Sequence, residues 1–379
     1  MKVLVCRDRN ILSMKLCVSL VNLLSQKGFD VFLLGDTYNK TGEDVIGLNP
    51  KVQFINLNAK TKNVFLNCYR RVREKCLLPY FRYNKIIKKI NPDIIITFFP
   101  NDLYRVTRFQ NHDVPIIQMI HCYPPSLFYK LQKKKNLVRW LIDKSFKKVT
   151  VYQVLLESYK NLIPTEFNTK KVVCIPNFCT FPPKEMIRDL NYETKKIIYI
   201  ARIEEKVKRQ HLLIEAFGKI AKEFPDWTVE LWGDSKYPEY EKRLMKLAET
   251  YGVENRVFIK GFYPKIIEVY AQADIHAFPS LQEGFGLGLV DGMSMGLPSV
   301  GFANTPAINE LIIDNYNGFL AKDVDDFSQK LKLLMSDKNL RIQMGKNAVT
   351  SVEKYTSDAF ADAWEKLILE TVQSYKKKG

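Results

Sequence analysis

The sequence contains no long apolar segment. No run of apolar residues reaches 18, about the minimum for a membrane-spanning helix, so we expect no such helix. The apolar run at the N-terminus is also too short for a signal peptide. The seven cysteines are odd in number and scattered, with neither a C-x-x-C pair nor a zinc-ligand spacing. This pattern favours reduced, mostly buried thiols in a cytoplasmic protein.

Length and composition indicate a soluble globular protein with two domains. The 379 residues exceed one ordinary core, and the chain is 46% hydrophobic and 26% charged. Short buried strands alternate with helical patterns twice along the chain, as in parallel sheets covered by helices on both faces. We predict two doubly wound α/β domains, 1–190 and 191–355, then a helical segment at 356–379. Prolines at positions 176, 182 and 183 suggest a linker near 177–195.

The periodicity of apolar residues gives the predicted elements. In the first half the strands are Lys2–Cys6, Val31–Leu34, Val52–Ile55, Ile94–Thr97, Ile116–His121 and Val172–Ile175, and the helices are Leu12–Lys27, Phe65–Ile90 and Phe128–Phe146. In the second half the strands are Ile197–Ile200, Thr228–Trp232, Val257–Ile259, Ile275–Phe278 and Ser299–Phe302. The helices there are Gln210–Glu223, Glu239–Tyr251, Pro264–Ala271, Leu287–Met295 and Ala359–Lys376.

The positive charge is confined to one half of the chain. Residues 1–190 carry 32 Lys and Arg against 14 Asp and Glu, a net charge of +18, whereas residues 191–379 carry 26 against 27. Two clusters, 69–89 and 130–148, supply much of this excess. A basic domain favours a surface that meets anions, either an anionic membrane or a nucleic acid.

The segment Leu127–Lys148 combines this charge with apolar residues at near-helical spacing. A basic helix with Trp140 and Phe128 on or beside its apolar face can lie in an anionic lipid interface. The alternative is an ordinary helix that packs on the core and exposes a solvated basic face. The confinement of the excess to one domain favours a surface that meets anions over a merely solvated face. We expect an anionic membrane as the partner, with nucleic acid as the less expected alternative.

The segment from Ser280 to Pro298 carries the clearest chemical pattern. Glu283 and Asp291 lie eight positions apart around the glycine-rich turn Gly284-Phe285-Gly286-Leu287, between a predicted strand and a predicted helix. Backbone N–H groups and the positive end of a helix make such a turn an anion site. Two carboxylates flanking an anion site suit a ligand with hydroxyls at both ends and phosphate in the middle. A nucleotide-sugar has this composition. Helix capping by Glu283 and a solvated Asp291 is the alternative interpretation.

This segment resembles the Glu-x7-Glu motif of retaining GT-B glycosyltransferases, specifically glycosyltransferase family 4. Further stretches agree in order and spacing, and they lie between Val172 and Leu334: Ile197-Ile-Tyr-Ile-Ala-Arg202 with Lys208, Leu212-Leu-Ile-Glu-Ala-Phe217, Leu231-Trp-Gly-Asp234, Val257-Phe-Ile-Lys-Gly-Phe262 and Asn317-Gly-Phe-Leu320. Two departures stand out. The second acidic position is Asp291 instead of Glu, and the loop Arg7–Ser13 after the first strand lacks the glycines common in the family.

The resemblance implies two Rossmann-like domains facing across a cleft, with the donor bound by the second and the C-terminal helix, 356–379, crossing back to the first. Arg202 and Lys208 follow the first strand of that domain and would neutralise the donor's diphosphate, Glu283 would hold the sugar, and Asp291 the ribose. Lys206 and Arg209 are competitors for the role of Lys208. His121 ends a strand in the first half and would line the catalytic pocket, although a lone histidine is more often structural.

Loops after other strands supply candidate contacts to the nucleobase. Gly233 with Asp234, and Gly261 with Phe262 and Tyr263, are such candidates, and ordinary turns are an equal alternative. Asp323-Val-Asp325 has the form of a metal-binding D-x-D, but it leads into a helix, so capping explains it better. The resemblance implies no bound metal and no cofactor.

The sequence thus predicts a retaining glycosyltransferase that uses a nucleoside-diphosphate sugar, with uridine as the expected nucleoside. The resemblance implies same-face attack by the acceptor hydroxyl, with the leaving phosphate oxygen taking its proton. The expected acceptor is a lipid-linked saccharide, polysaccharide or lipopolysaccharide at the inner face of a bacterial cell membrane, with peripheral attachment through the basic domain. The alternatives are a nucleic-acid-directed sugar transferase or nucleic-acid-binding protein, and a sugar-nucleotide 2-epimerase.

Overall fold

Two units make up the chain in this computed structural model. It describes residues 1–7, 15–35, 47–57, 78–108, 112–134, 136–167, 171–179, 181–182 and 193–377. The first unit joins Met1–Pro176 to Ser357–Gly379, and the second is Asn177–Thr356. Several predicted features lie outside the described residues, namely most of the loop 7–13, the start of the first helix, positions 65–77 of the second, and 183–192 of the linker.

The first unit is built on a parallel sheet of seven described strands. Runs such as Val-Leu-Val-Cys in the first strand are buried on both faces, as expected for a central parallel strand. The strands are β1 (Lys2–Arg7), β2 (Asp30–Gly35), β3 (Gln53–Asn56), β4 (Ile94–Thr97), β5 (Ile116–Met119), β6 (Val151–Val154) and β7 (Lys171–Cys174), in the order β3-β2-β1-β4-β5-β6-β7. The prediction missed β6, in which buried Gln153 donates to the carbonyls of Val154 and Ile175.

The described helices of the first unit before residue 177 are α1 (Lys15–Gln26), α2 (Leu78–Ile90), α3 (Pro100–Thr107), α4 (Pro124–Gln132) and α5 (Asn136–Phe146). The single helix predicted over Phe128–Phe146 is wrong, because two helices occupy this segment. The Lys134 N–H bonds to the carbonyl of Leu131, three residues back, which tightens the chain beyond α4 into a turn.

The second unit has a parallel sheet of six strands. They are β8 (Lys196–Ile200), β9 (Thr228–Trp232), β10 (Val257–Gly261), β11 (Ile275–Phe278), β12 (Ser299–Phe302) and β13 (Gly318–Ala321), in the order β10-β9-β8-β11-β12-β13. Its helices are α6 (Glu205–Lys208), α7 (Gln210–Ile220), α8 (Pro238–Thr250), α9 (Ile266–Tyr270), α10 (Leu287–Ser294), α11 (Ile308–Leu311), α12 (Val324–Ser336) and α13 (Lys338–Val352). The prediction missed β13, which pairs with β12.

The last helix, α14 (Ser357–Lys376), belongs to the first unit. Its apolar face buries Phe360, Trp364, Leu367 and Ile368. Ion pairs fasten it as well, since Lys27 contacts Asp362 and Glu365, and Lys171 lies 2.9 Å from Glu370. The two-unit, parallel-sheet architecture agrees with the predicted fold class.

Candidate functional site

The strand order of the second unit reverses between β8 and β11. From β8 the chain winds outward to β9 and β10, and from β11 it winds the other way to β12 and β13. In open parallel sheets ligands bind beyond the carboxyl ends of the strands at such a reversal. The segments that follow these two strands contain Arg202, Lys208, Glu283 and the glycine-rich turn. The predicted donor site is therefore concentrated at the reversal.

Glycines bring the start of α10 close to these strand ends. Gly286 precedes the helix with φ of 91°, a left-handed conformation that glycine adopts without steric cost. A Cβ at Gly288 would lie 3.3 Å from the Ile200 carbonyl oxygen, and one at Gly292 only 2.6 Å from His276 Nδ1. The first N–H groups of a helix have no acceptor within it, and its N-terminus carries partial positive charge. Close packing therefore holds an anion-attracting helix end beside the end of β8.

Lys208 and Glu283 form an ion pair beside this helix. Lys208 Nζ donates to Glu283 Oε1 at 2.6 Å, and only 14% and 13% of the two side chains are exposed. Lys208 ends the short helix α6, and Arg209 after it has φ of 51°, which turns the chain into α7. The structure thus joins two predicted site residues that lie 75 positions apart in the sequence.

A second donor to the same carboxylate was not predicted. The Ser280 hydroxyl lies 2.6 Å from Glu283 Oε1, and the Tyr199 hydroxyl lies 2.6 Å from Ser280 Oγ. Both residues are buried. Burial, with the charge of Glu283, raises the pKa of Tyr199 well above its ordinary value, so the phenol stays protonated. The serine before Glu283 and the tyrosine within β8 gave no sign of this contact in the sequence.

Arg209 fixes the backbone of the same loop. Its Nε and Nη2 donate to the carbonyls of Pro279 and Ser280, both at 2.9 Å. The Thr305 hydroxyl also donates to the Ser280 carbonyl at 2.8 Å. Arg209 is therefore engaged with carbonyl oxygens, while its predicted competitor Lys208 is the cation on Glu283.

Arg202 pairs with a different carboxylate. Its side chain is 70% exposed and lies 3.3 Å from the carboxylate of Glu204. Its carbonyl accepts a hydrogen bond from Gln210 Nε2 at 2.8 Å, which fixes the backbone after β8. Its role at a diphosphate stays a prediction.

Asp291 lies in the second turn of α10 and is half-buried. Burial, and secondarily the negative charge of Asp291, raises the pKa of Cys179 to about 12. In the preceding turn Gly284 is half-buried, Phe285 packs edge-on against Tyr355 with ring centroids 5.2 Å apart, and Leu287 is exposed. Phe285 therefore anchors the turn, and its ring is buried.

The ends of β8, β9 and β10 are fitted closely together. Gly233 has φ of 151°, and a Cβ there would lie 2.0 Å from the Ala201 carbonyl oxygen. The Gly233 N–H donates to the Gly261 carbonyl at 2.8 Å. Asp234 and Phe262 are exposed beside these glycines. Tyr263 instead donates its hydroxyl to Glu268 at 2.7 Å.

His121 lies in the first unit, whereas the other predicted site residues lie in the second. Its ring stacks on Phe98 with centroids 5.0 Å apart. Burial and the nearby charge of Arg7 lower its pKa to about 3, so the imidazole is neutral. Its catalytic role stays a prediction.

His276 is a buried histidine in β11 with no predicted role. Its ring lies edge-on to Tyr270 and Phe278, and burial lowers its pKa to about 3. It forms the surface on which Gly292 of α10 rests. The pairing of a strand histidine with a helix glycine is a packing signal that only the tertiary structure makes visible.

Asp323 caps α12, as the sequence predicted. Its side chain accepts a hydrogen bond from the Asp326 N–H at 2.8 Å. Among the described residues, no three His, Cys, Asp or Glu side chains are grouped so that they could hold a metal ion.

Known proteins resemble this chain in sequence and in fold. Residues 184–351 match the family Glycosyl transferases group 1. An uncharacterized glycosyltransferase of Haemophilus influenzae is 28% identical over 219 residues, which cover 56% of this chain and 60% of that protein. The poly(ribitol-phosphate) alpha-N-acetylglucosaminyltransferase of Staphylococcus aureus is 23% identical over 335 residues, 86% of this chain and 65% of that protein. The chain thus spans somewhat under two thirds of the length of these two relatives.

Solved structures match nearly the whole chain. The sucrose-phosphate synthase of Thermosynechococcus elongatus has a TM-score of 0.79 at 16% identity and covers 99% of this chain and 100% of its own. HepE of Anabaena, solved in complex with UDP, has a TM-score of 0.74 at 17% identity and covers 98% and 100%. These likenesses establish the GT-B fold, and residues 184–351 of this chain are similar to the family Glycosyl transferases group 1.

Proposed function

We propose that the protein is a retaining glycosyltransferase of glycosyltransferase family 4 that takes its sugar from a nucleoside diphosphate, with uridine as the nucleoside. One observation carries the proposal, namely the Lys208–Glu283 ion pair beside the start of α10 at the strand reversal. It places a cation, a carboxylate and a helix N-terminus within one segment of the sheet edge. Cations and helix N-termini are suited to diphosphate, and a carboxylate is suited to sugar hydroxyls.

In this proposal the diphosphate lies against the α10 start and draws the Lys208 ammonium toward it. Arg202, with an exposed side chain, adds a second cation. Together they stabilise the negative charge that develops on the leaving diphosphate, without need of a bound metal. Glu283 then holds the donor sugar and Asp291 the ribose. The acceptor hydroxyl attacks from the face that the diphosphate leaves, and a phosphate oxygen takes its proton.

Ligand-induced stabilisation across a panel of nucleotide-sugars tests this proposal. A ligand present at a hundredfold excess over its Kd stabilises the folded state by about 2.7 kcal/mol, so the cognate donor should stand out in thermal unfolding. Lys208→Ala should abolish that shift, whereas Lys246→Ala, an exposed lysine on α8, should keep it. No shift with any member of the panel would contradict the proposal. Formation of an epimer from the donor alone would indicate the 2-epimerase.

We also propose that the first unit contacts an anionic membrane, where a lipid-linked or polysaccharide acceptor would be found. Residues 124–148 carry eight Lys and Arg against one Asp. The expectation that Phe128 faces lipid is wrong, because its ring is buried against Phe146 and Phe167. Tyr129 and Trp140 are instead 58% and 56% exposed, with lysine ammoniums over their rings. Exposed aromatic rings beside lysines suit the headgroup region of a bilayer.

The exposed rings and lysines of α4 and α5 favour shallow contact with the bilayer over insertion into it. Ile142 and Phe146 of α5 are also buried in the unit's own core. Within the described part of the chain, no helix is long and apolar enough to cross a membrane.

Vesicle sedimentation tests the membrane contact. Replacing four exposed lysines of α4, α5 and the turn between them with Gln should weaken binding to phosphatidylserine vesicles at least tenfold, since each is worth ~1 kcal/mol near an anionic surface; they are Lys130, Lys133, Lys134 and Lys144. A control that removes the same charge from the second unit should bind like the parent; its positions are Lys222, Lys246, Lys346 and Lys354. Equal losses in both variants, or tight duplex DNA binding with no affinity for vesicles, would contradict the membrane proposal.

A further inference from the structure

Two buried hydroxyl groups connect the core of the second unit to Glu283. The Tyr199 hydroxyl contacts Ser280 Oγ, which contacts Glu283 Oε1, each at 2.6 Å. We infer that Tyr199 and Ser280 are positioning residues, which hold the Glu283 carboxylate in place when the donor draws Lys208 away. The inference rests on the proposed function, since it assigns the donor diphosphate to Lys208.

The direction of the two hydrogen bonds follows from the chemistry of the groups. An ionised carboxylate only accepts, so the Ser280 hydroxyl donates to Glu283. Because that proton is used, Ser280 Oγ accepts from the Tyr199 hydroxyl. Two hydrogen bonds in series polarise each other, and a bond to a charged group is stronger than one between neutral groups. The tyrosine therefore strengthens the hold of the serine on Glu283.

The backbone around Ser280 is rigid enough for this role. Its carbonyl accepts from Arg209 Nη2 at 2.9 Å and from the Thr305 hydroxyl at 2.8 Å. The next residue, Leu281, donates its N–H to the Val207 carbonyl at 2.8 Å. Ser280 Oγ is thus fixed relative to the segment that carries Lys208.

Without a ligand, Lys208 and Ser280 share the same oxygen of Glu283. A diphosphate that attracts Lys208 would leave the carboxylate to the remaining donors. The hydroxyl pair then prevents Glu283 from following the ammonium and keeps it oriented toward the sugar. Loss of this hydroxyl pair should therefore lower turnover and leave nucleotide binding unchanged.

A double-mutant cycle in turnover tests the inference. Ser280→Ala should lower kcat by roughly ten- to a hundredfold, the rate equivalent of one hydrogen bond to a charged group. Tyr199→Phe should lower kcat by several-fold, and it should cause no further loss once Ser280 is Ala. The KM for the donor and the affinity for nucleoside diphosphate should stay within about threefold of the parent. Tyr152→Phe removes an equally buried hydroxyl, bonded to the Phe146 carbonyl at 2.8 Å, and should keep the parental kcat.

The outcomes separate this inference from the proposed function. Unchanged kcat, additive losses, or losses confined to KM would overturn the positioning role. If Ser280→Ala does not fold, Ser280→Cys keeps the size with a weak donor and takes its place in the cycle. A parent that transfers no sugar from any nucleotide would instead overturn the proposed function. In that case the same double-mutant cycle is measured as the urea midpoint of unfolding. Additive shifts of the midpoint would show that Tyr199 and Ser280 do not act as a pair, and would overturn the inference.

Discussion

Replacing Lys208 with Met should destabilise the second unit as well as abolish turnover. The substitution keeps most of the side-chain volume but leaves Glu283 without its cation. Removing one partner of a fully buried ion pair costs about 3–5 kcal/mol. Since 14% and 13% of the two side chains reach solvent, we expect a smaller loss, about 2 kcal/mol.

The second substitution, Glu283→Gln, should reverse much of this loss. Lys208→Met combined with Glu283→Gln removes both charges, so neither is left partly buried without its partner. Replacing a buried ion pair with uncharged groups of similar volume is often neutral for stability. The double variant should therefore lie within about 1 kcal/mol of the parent in stability, and it should still be inactive.

Hydrogen exchange at increasing urea concentration measures the opening free energy of the second unit alone. Peptides from β8, β9 and β11 report the opening of that sheet, whereas a whole-chain signal would mix the two units. Lys246→Met, an exposed lysine on α8, is the matched control and should leave exchange unchanged. If Lys208→Met shifts the opening free energy by less than about 0.5 kcal/mol, or if the double variant is no more stable than the single one, the reasoning is refuted.

Three further predictions concern neighbouring residues. Asp291→Ala should raise the KM for the donor with little change in kcat, because a ribose contact acts alike in ground and transition states; Asp291→Glu should be tolerated, and an unchanged KM in the Ala variant would remove the ribose role. Gly292→Ala should cost about 1–3 kcal/mol in urea denaturation and weaken nucleotide binding, because its Cβ would lie 2.6 Å from His276 Nδ1; a variant as stable as the parent would show that α10 is not held as closely as described. His276 has a pKa of about 3 when folded, so its contribution to stability should be full above about pH 6.5 and be lost as pH falls toward 3, by up to about 1.4 kcal/mol per pH unit. His276→Ala should reduce the slope of the unfolding free energy against pH in this range. Equal slopes in parent and variant would contradict the lowered pKa of His276.

Much of the fold was predictable because its strands are nearly continuous apolar runs. The bounds of Thr228–Trp232, Ile275–Phe278 and Ser299–Phe302 agree with the prediction residue for residue. The missed strands β6 and β13 lack that signal. Val151–Val154 contains a polar Gln whose Nε2 donates to the carbonyls of Val154 and Ile175, and Gly318–Ala321 begins with glycine. Tertiary hydrogen bonds and pairing with a neighbouring strand decided both elements.

The candidate site was predictable only in part. Glu283 and the glycine turn could be found because they are close in sequence, and Lys208 because its surroundings resemble the family pattern. Tyr199 and Ser280 could not, and Arg209 was predicted only as a competitor for Lys208, because the hydrogen-bond partners of all three depend on how the strand ends meet. The sequence also cannot show that Phe128 faces the core while Trp140 faces solvent, because both lie on basic segments with helical spacing.

The discontinuous make-up of the first unit has a consequence for the order in which the chain acquires its structure. Its seven-stranded sheet is synthesised first, but α14, which buries Trp364 and packs on α1, is synthesised after residue 356. Residues 177–356 are contiguous, so on a ribosome the second unit is the first that can be completed. Until α14 is synthesised, the nascent first unit exposes the apolar surface that α14 covers. A stop codon near residue 357 would therefore impair the N-terminal sheet, whose last strand ends at Cys174, and spare the second unit, residues 177–356.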